Sequence, residues 1–124
     1  MDRSTVAAAL QMVVGLGLLN VWIVRARSAT AYRGGAATSL RSEFAVYGLP
    51  PAVFYVVGGL KLSAALLLIA GVFVELPVAV GAAVVAALMV GAVGMHVKVG
   101  DAAHKSAPAM TMLAMSVAIV LLTA

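Results

Sequence analysis

A chain of 124 residues that is 65% hydrophobic and 10% charged differs sharply from a soluble domain, in which roughly half of the residues are apolar and about a quarter are charged. So short a chain has too little volume to hide that much apolar side chain from water, because helices that are apolar all round leave no polar face to cover them. The formal charge of +4 is carried in the loops with no basic stripe interleaved with aromatics, which argues against a nucleic-acid partner, and the absence of cysteine excludes disulfides, thiolate metal ligands and a thiol redox couple of the chain's own.

Four apolar runs each come close to the ~20 residues a helix needs to cross a hydrocarbon layer ~30 Å thick. The expected fold is therefore all-α: a four-transmembrane-helix bundle in a lipid bilayer, forming one integral membrane domain over residues 1–124. The first span is expected at 5–24, with Asp2 and Arg3 outside it, Trp22 as an interfacial aromatic and Arg25 at its end. Ala29-Thr30-Ala31 has the small-x-small form of a signal cleavage site, but Arg25 and Arg27 stand where cleavable signals avoid charge, so the first span is expected to be retained. A long polar connection follows, with a Gly34-Gly35 turn signal and a Thr38-Ser39 pair suited to capping.

Leu40, Phe44 and Tyr47 recur at i, i+4 and i+7, while Arg41, Ser42 and Glu43 fall elsewhere, which predicts a short amphipathic helix over 40–47 lying at the membrane surface. Gly48 and Pro50 end it. Pro50-Pro51 opens the second span, predicted at 52–74, and the short Glu75-Leu76-Pro77 turn makes the second and third spans antiparallel neighbours. The third span is predicted at 78–97 and the fourth at 108–123, joined by a polar turn holding Asp101, His104 and Lys105. The first and third loops share one side of the membrane and hold Arg25, Arg27, Arg33, Arg41, Lys98 and Lys105, against Arg3 alone on the other. That asymmetry predicts both termini outside the cytoplasm.

Lys61 lies about ten residues into the second span, roughly 15 Å below its start at ~1.5 Å per residue. A cation near the midplane costs at least about 2.5–3.5 kcal/mol on insertion scales, so it is expected to face the bundle interior and to have a partner. Gly58, Ala64 and Ala65 share its face and form a close-packing surface. Glu43 is the expected partner, with its helix tucked inward, and Asp101 the other choice; His96 is placed to hydrogen-bond to either and is a candidate for a proton or ligand contact. Gln11 and Asn20 fall on opposite faces of the first span, Gln11 near the level of Lys61 and Asn20 at the depth of His96, each suited to a helix-to-helix hydrogen bond. Ala83, Ala87, Gly91 and Gly94 form a small-residue stripe that serves either the bundle or a homo-oligomer. No metal is expected, since His96, Asp101 and His104 match no site spacing, and histidines eight residues apart cannot face each other across a haem.

The strings Arg33-Gly34-Gly35, Arg41-Ser42-Glu43-Phe44-Ala45-Val46-Tyr47-Gly48-Leu49-Pro50 and Gly58-Gly59-Leu60-Lys61, followed by Met89-Val90-Gly91-Ala92-Val93, His96-Val97-Lys98-Val99-Gly100-Asp101 and Lys105-Ser106-Ala107-Pro108-Ala109, resemble the DoxX-like family of small bacterial four-helix membrane proteins. The likeness covers nearly the whole chain, and the order of these motifs carries it. It implies a bacterial inner (plasma) membrane location and a polar constellation near Glu43, Lys61, His96 and Asp101. Members of the wider family are associated with thiosulfate:quinone oxidoreductases or redox-stress complexes, and distant relatives with chaperoning of membrane receptors. The expected function is a non-enzymatic bundle with a ligand or ion-pair pocket formed by Asn20, Glu43, Lys61, His96 and Asp101, binding a small amphipathic ligand or a membrane-protein partner. The alternative is a quinone-binding subunit of a membrane oxidoreductase, with quinone as the cofactor.

Overall fold

A computed structural model describes residues 2–28 and 30–124; Ala29, the first residue of the small-x-small triplet, lies outside the described residues. Helix α1 covers Arg3–Leu19 and continues into a π-helical turn over Asn20–Val24; α2 is Leu40–Val46, α3 Pro51–Ala70, α4 Val78–Lys98 and α5 Ala107–Thr123, the last preceded by a 3-10 turn at Ala103–Ser106. Among the described residues there is no strand, and four helices are long and apolar enough to cross a membrane. α1 packs on α3 and α5, and α4 on α3 and α5, so the four spans close an up-down-up-down ring.

The helix ends follow local chemistry. Asp2 caps α1 by accepting from the Thr5 N–H at 2.8 Å. Ser39 caps α2 in a reciprocal box with Ser42, whose hydroxyl accepts from the Ser39 N–H at 2.9 Å. α3 stops at Ala70, four residues before its predicted end, because Gly71 to Val74 form turns; apolar Val72, Phe73 and Val74 give a hydropathy reading no sign of that stop. The turn's N–H groups cap the carbonyls of Leu67, Ile69 and Ala70, and Gln11 caps that of Leu68, donating from Nε2 at 3.0 Å. Gln11 thus ties α1 to α3 as expected, but two turns from Lys61 and not at its level.

Close helix approach is built on small residues. Gly58, Ala64 and Ala65 are buried, as the packing face of α3 requires, and Gly15 of α1 lies against Ala65 and Ile69. Leu18, Leu68, Val85 and Ile119 fill the centre of the ring. On α4 the inward face is Gly81, Ala82, Val85 and Met89, whereas Ala83, Ala87, Gly91 and Gly94 all face outward. The small-residue stripe therefore takes no part in closing the bundle.

A second apolar cluster closes the end of the ring where the first and third loops meet. Trp22, predicted as an interfacial anchor, is 8% exposed and packs edge-on to Phe44, tilted against Phe54, with its Cζ3 edge on Gly58. The correction has a simple cause: α2 lies over the end of α1 and α3 and covers the ring. Leu40, Glu43, Phe44 and Tyr47 are the buried face of α2, so Glu43 shares the apolar side that the sequence pattern assigns to the other three. It is an i, i+3, i+4, i+7 stripe with a carboxylate in it.

Candidate functional site

Two glycine-terminated helix ends aim the polar groups. At the end of α4, Gly100 has φ +71 and the Asp101 N–H donates to the His96 oxygen at 3.0 Å while the Gly100 N–H donates to Val97 at 3.1 Å, the paired bonds of a Schellman motif. Gly48, at φ +77, closes α2 in the same way, with the Leu49 N–H donating to Phe44 and the Gly48 N–H to Ala45. A side chain is strained at such a φ, so both glycines are required by the turn itself. The first motif folds Asp101 back over its own helix, where its Oδ2 meets His96 Nδ1 at 2.8 Å. The second leaves the Tyr47 carbonyl to be capped by Lys98 Nζ at 2.9 Å, which ties α4 to α2.

From that pair a continuous network crosses the bundle end. His96 is 5% exposed, and its Nε2 stands 3.4 Å from the Tyr47 hydroxyl and 4.0 Å from a Glu43 oxygen. Tyr47 donates a short hydrogen bond to Glu43 Oε1. Arg33 Nη1 approaches Glu43 Oε2 at 3.4 Å, and the rest of its guanidinium donates to the backbone oxygens of Arg25 at 2.6 Å and Ser28 at 3.2 Å. Gly35 then clasps the two loops: its N–H donates to Asp101 Oδ1 at 2.9 Å and its carbonyl accepts from Lys105 Nζ at 2.8 Å.

The protonation states follow from these contacts. The hydrogen bond with His96, together with the Gly35 N–H and nearby Lys105, holds the Asp101 carboxyl below its usual range. An ionised Asp101 only accepts, so His96 Nδ1 carries a proton. Burial first, and then the Glu43 carboxylate, push the Tyr47 phenol well above its usual range, so it remains a donor. Its one proton is committed to Glu43.

The structure corrects the expected pairing of Lys61. Glu43 is taken by Arg33 and Tyr47, and among the described residues no carboxylate lies within ion-pair distance of Lys61. Its Nζ instead sits 5.4 Å from the centroid of the Trp22 ring, a cation–π contact. Arg33 is the partner that the sequence reading missed; at 6% exposure it is a buried cation in a loop, and its place in the Arg33-Gly34-Gly35 string was the only signal. Asn20 makes no side-chain hydrogen bond to another helix among the described residues; it begins the π-helical turn, where the Arg25 N–H reaches back to the Asn20 oxygen at 2.8 Å. Such turns recur at functional sites. His104 stands edge-on to Tyr32.

A cavity of about 650 Å³ opens inside this end of the ring. Asn20, Glu43, Lys61 and His96 line it, so four of the five residues selected from sequence face one space, while Asp101 stands behind His96 as its positioning partner. Leu18, Met89 and Met112 supply its apolar wall. Fold and composition together define the molecule as an integral membrane helical bundle with a polar network and an adjoining cavity at one end. The family model of the DoxX-like family matches residues 28–119, and the chain belongs to that family. No curated protein and no solved structure matches it.

Proposed function

We propose that the chain works as a single integral membrane domain without catalysis of its own, binding a small amphipathic molecule in the cavity beside Lys61. One observation carries this reading: the cavity has a polar end at Asn20, Lys61 and His96 and an apolar wall at Leu18, Met89 and Met112. Binding sites in helix bundles are commonly of this kind, mostly apolar with a few converging polar groups. A volume of about 650 Å³ falls within the ~300–1,000 Å³ usual for small-molecule pockets. The network from Arg33 to Asp101 keeps one wall of the cavity rigid by satisfying its own polar groups, which leaves Lys61 available. Mass spectrometry of protein extracted in a mild uncharged detergent is expected to show a bound small amphiphile. Recovery of the bare chain mass alone would refute the reading, and a retained quinone would replace it with the oxidoreductase-subunit alternative.

We further infer a plasma-membrane location with both termini away from the cytoplasm. The clasp of Gly35 with Asp101 and Lys105 brings the two arginine- and lysine-rich loops to one end of the bundle, while Arg3 donates to the Leu121 oxygen at the other. In whole cells an impermeant thiol reagent is expected to label Ser4→Cys and to spare Ala102→Cys. The reverse pattern inverts the orientation.

A further inference from the structure

We infer that the cavity selects a single-chain amphiphile with an anionic head, of the fatty-acid class, and that Lys61, held against the Trp22 ring, binds the head. The inference rests on the amphiphile-binding reading above and adds to it the charge and the size of the ligand.

Four basic side chains, Arg25, Arg33, Lys61 and Lys105, face the cavity against one carboxylate, Glu43. Glu43 is matched by Arg33 at 3.4 Å, and Lys105 by Asp101 at 3.7 Å from outside the cavity wall. Arg25 and Lys61 are left with no carboxylate within ion-pair distance among the described residues. Arg25 lies at the end of the first span, beside the loops, where water and headgroups can satisfy it. Lys61 is half-buried in the middle of α3, where its ammonium lies over an aromatic face and opens on the cavity.

Hydrogen bonding points the same way. Trp22 is 8% exposed and lines the cavity, and its indole N–H has no acceptor among the described residues. Its Cζ3 edge is against Gly58 and its nitrogen is enclosed by protein, so the ring face is what it turns to Lys61. A buried donor without an acceptor costs about 1–3 kcal/mol. Lys61 adds donors and no acceptor, and an indole N–H can only donate. A ligand that complements Lys61 must bring acceptors and negative charge, which is the chemistry of a carboxylate or phosphate oxygen. A neutral quinone carbonyl would answer the donors and leave the lysine charge uncompensated.

Size decides between one acyl chain and two. At roughly 30 Å³ for each small group, the share of volume of a water in the liquid, the cavity holds about twenty non-hydrogen atoms. That matches one long-chain carboxylate held within the cavity, whereas a two-chain phospholipid would have to extend out of it. Met89 and Met112 form part of the apolar wall, and thioether side chains adapt to chains of different length and bend.

Trp22 is the only tryptophan of the protein, so its emission reports on the proposed head site directly. Palmitate titrated into protein in an uncharged maltoside detergent is expected to change that emission saturably. It should bind at least about ten-fold more tightly than hexadecanol, the same chain without the charge, a ratio equal to about 1.4 kcal/mol. Lys61→Met keeps the unbranched stem of the side chain and removes its ammonium, and is expected to bring the two ligands to about equal affinity; Lys61→Arg should restore the preference. Equal binding of palmitate and hexadecanol by the unaltered protein overturns the anionic head while leaving an amphiphile site in place. A saturable response to neither overturns both readings. Inorganic phosphate alone reproducing the palmitate response makes the ligand a soluble anion and overturns the acyl chain. The comparison in the unaltered protein decides the matter even where a Lys61 variant fails to fold.

Discussion

Replacing Glu43 by alanine is expected to destabilise the bundle by about 3–5 kcal/mol, the cost of leaving one member of a buried ion pair without its counter-charge. The guanidinium of Arg33 is 6% exposed, and the backbone oxygens of Arg25 and Ser28 give it hydrogen bonds but no negative charge. The same substitution removes the acceptor of the Tyr47 hydroxyl, a phenol that burial keeps protonated, and so strands a second donor. Detergent-denaturation curves followed by circular dichroism measure the loss. The double variant Arg33→Met/Glu43→Leu is expected to recover most of it, because taking out both charges removes the desolvation penalty along with the attraction. A Glu43→Ala protein as stable as the unaltered one would mean that Arg33 reaches water and that the network does not brace the cavity.

Ala65→Leu is the second substitution expected to act strongly, and the bilayer makes its logic different from that of a soluble core. Lipid tails are as apolar as leucine, so burying a side chain between spans gains nothing from leaving the membrane; close packing holds the helices together. Ala65 is fully buried where α3 meets α1 at Gly15. A larger side chain there forces the two helices apart, at about 1–3 kcal/mol for an overpacked interior. It also draws Gln11 away from the Leu68 carbonyl on the same interface. Ala83→Leu, the same change on the outward face of α4, is expected to fall within about 0.5 kcal/mol of neutral. Emission of Trp22 across a denaturing-detergent titration compares the two. Equal effects would mean that α1 and α3 do not meet through Ala65.

Much of the fold was legible because hydropathy and helix capping act within a few residues. Four apolar runs sufficed to locate four spans, and Ser39, Gly48 and Pro50 marked the ends of α2. Hydropathy failed where an apolar stretch stops being helical, at Gly71 to Val74, since turn and helix carry the same residues there. The depth of Lys61 and the small-residue face around it were likewise local properties, and they led to the cavity.

Partnership was not local. Arg33 read as a loop cation and Glu43 as the inward-tucked partner of Lys61, and the two meet because α2 folds over the ring with Glu43 on its buried face. Asp101 meets His96 because Gly100 turns the chain back, and meets Gly35 because two loops sixty-six residues apart share one end of the bundle. Trp22, fit by composition for an interface, became an inner wall for the same reason. The amino-acid sequence by itself determined the solvent this protein folds in, the number of its crossings and the placing of a lysine midway along one of them, each a property of a short stretch of chain. Only the tertiary structure decided which charges neutralise one another and which are left over, because that depends on distances across helices that no local pattern encodes.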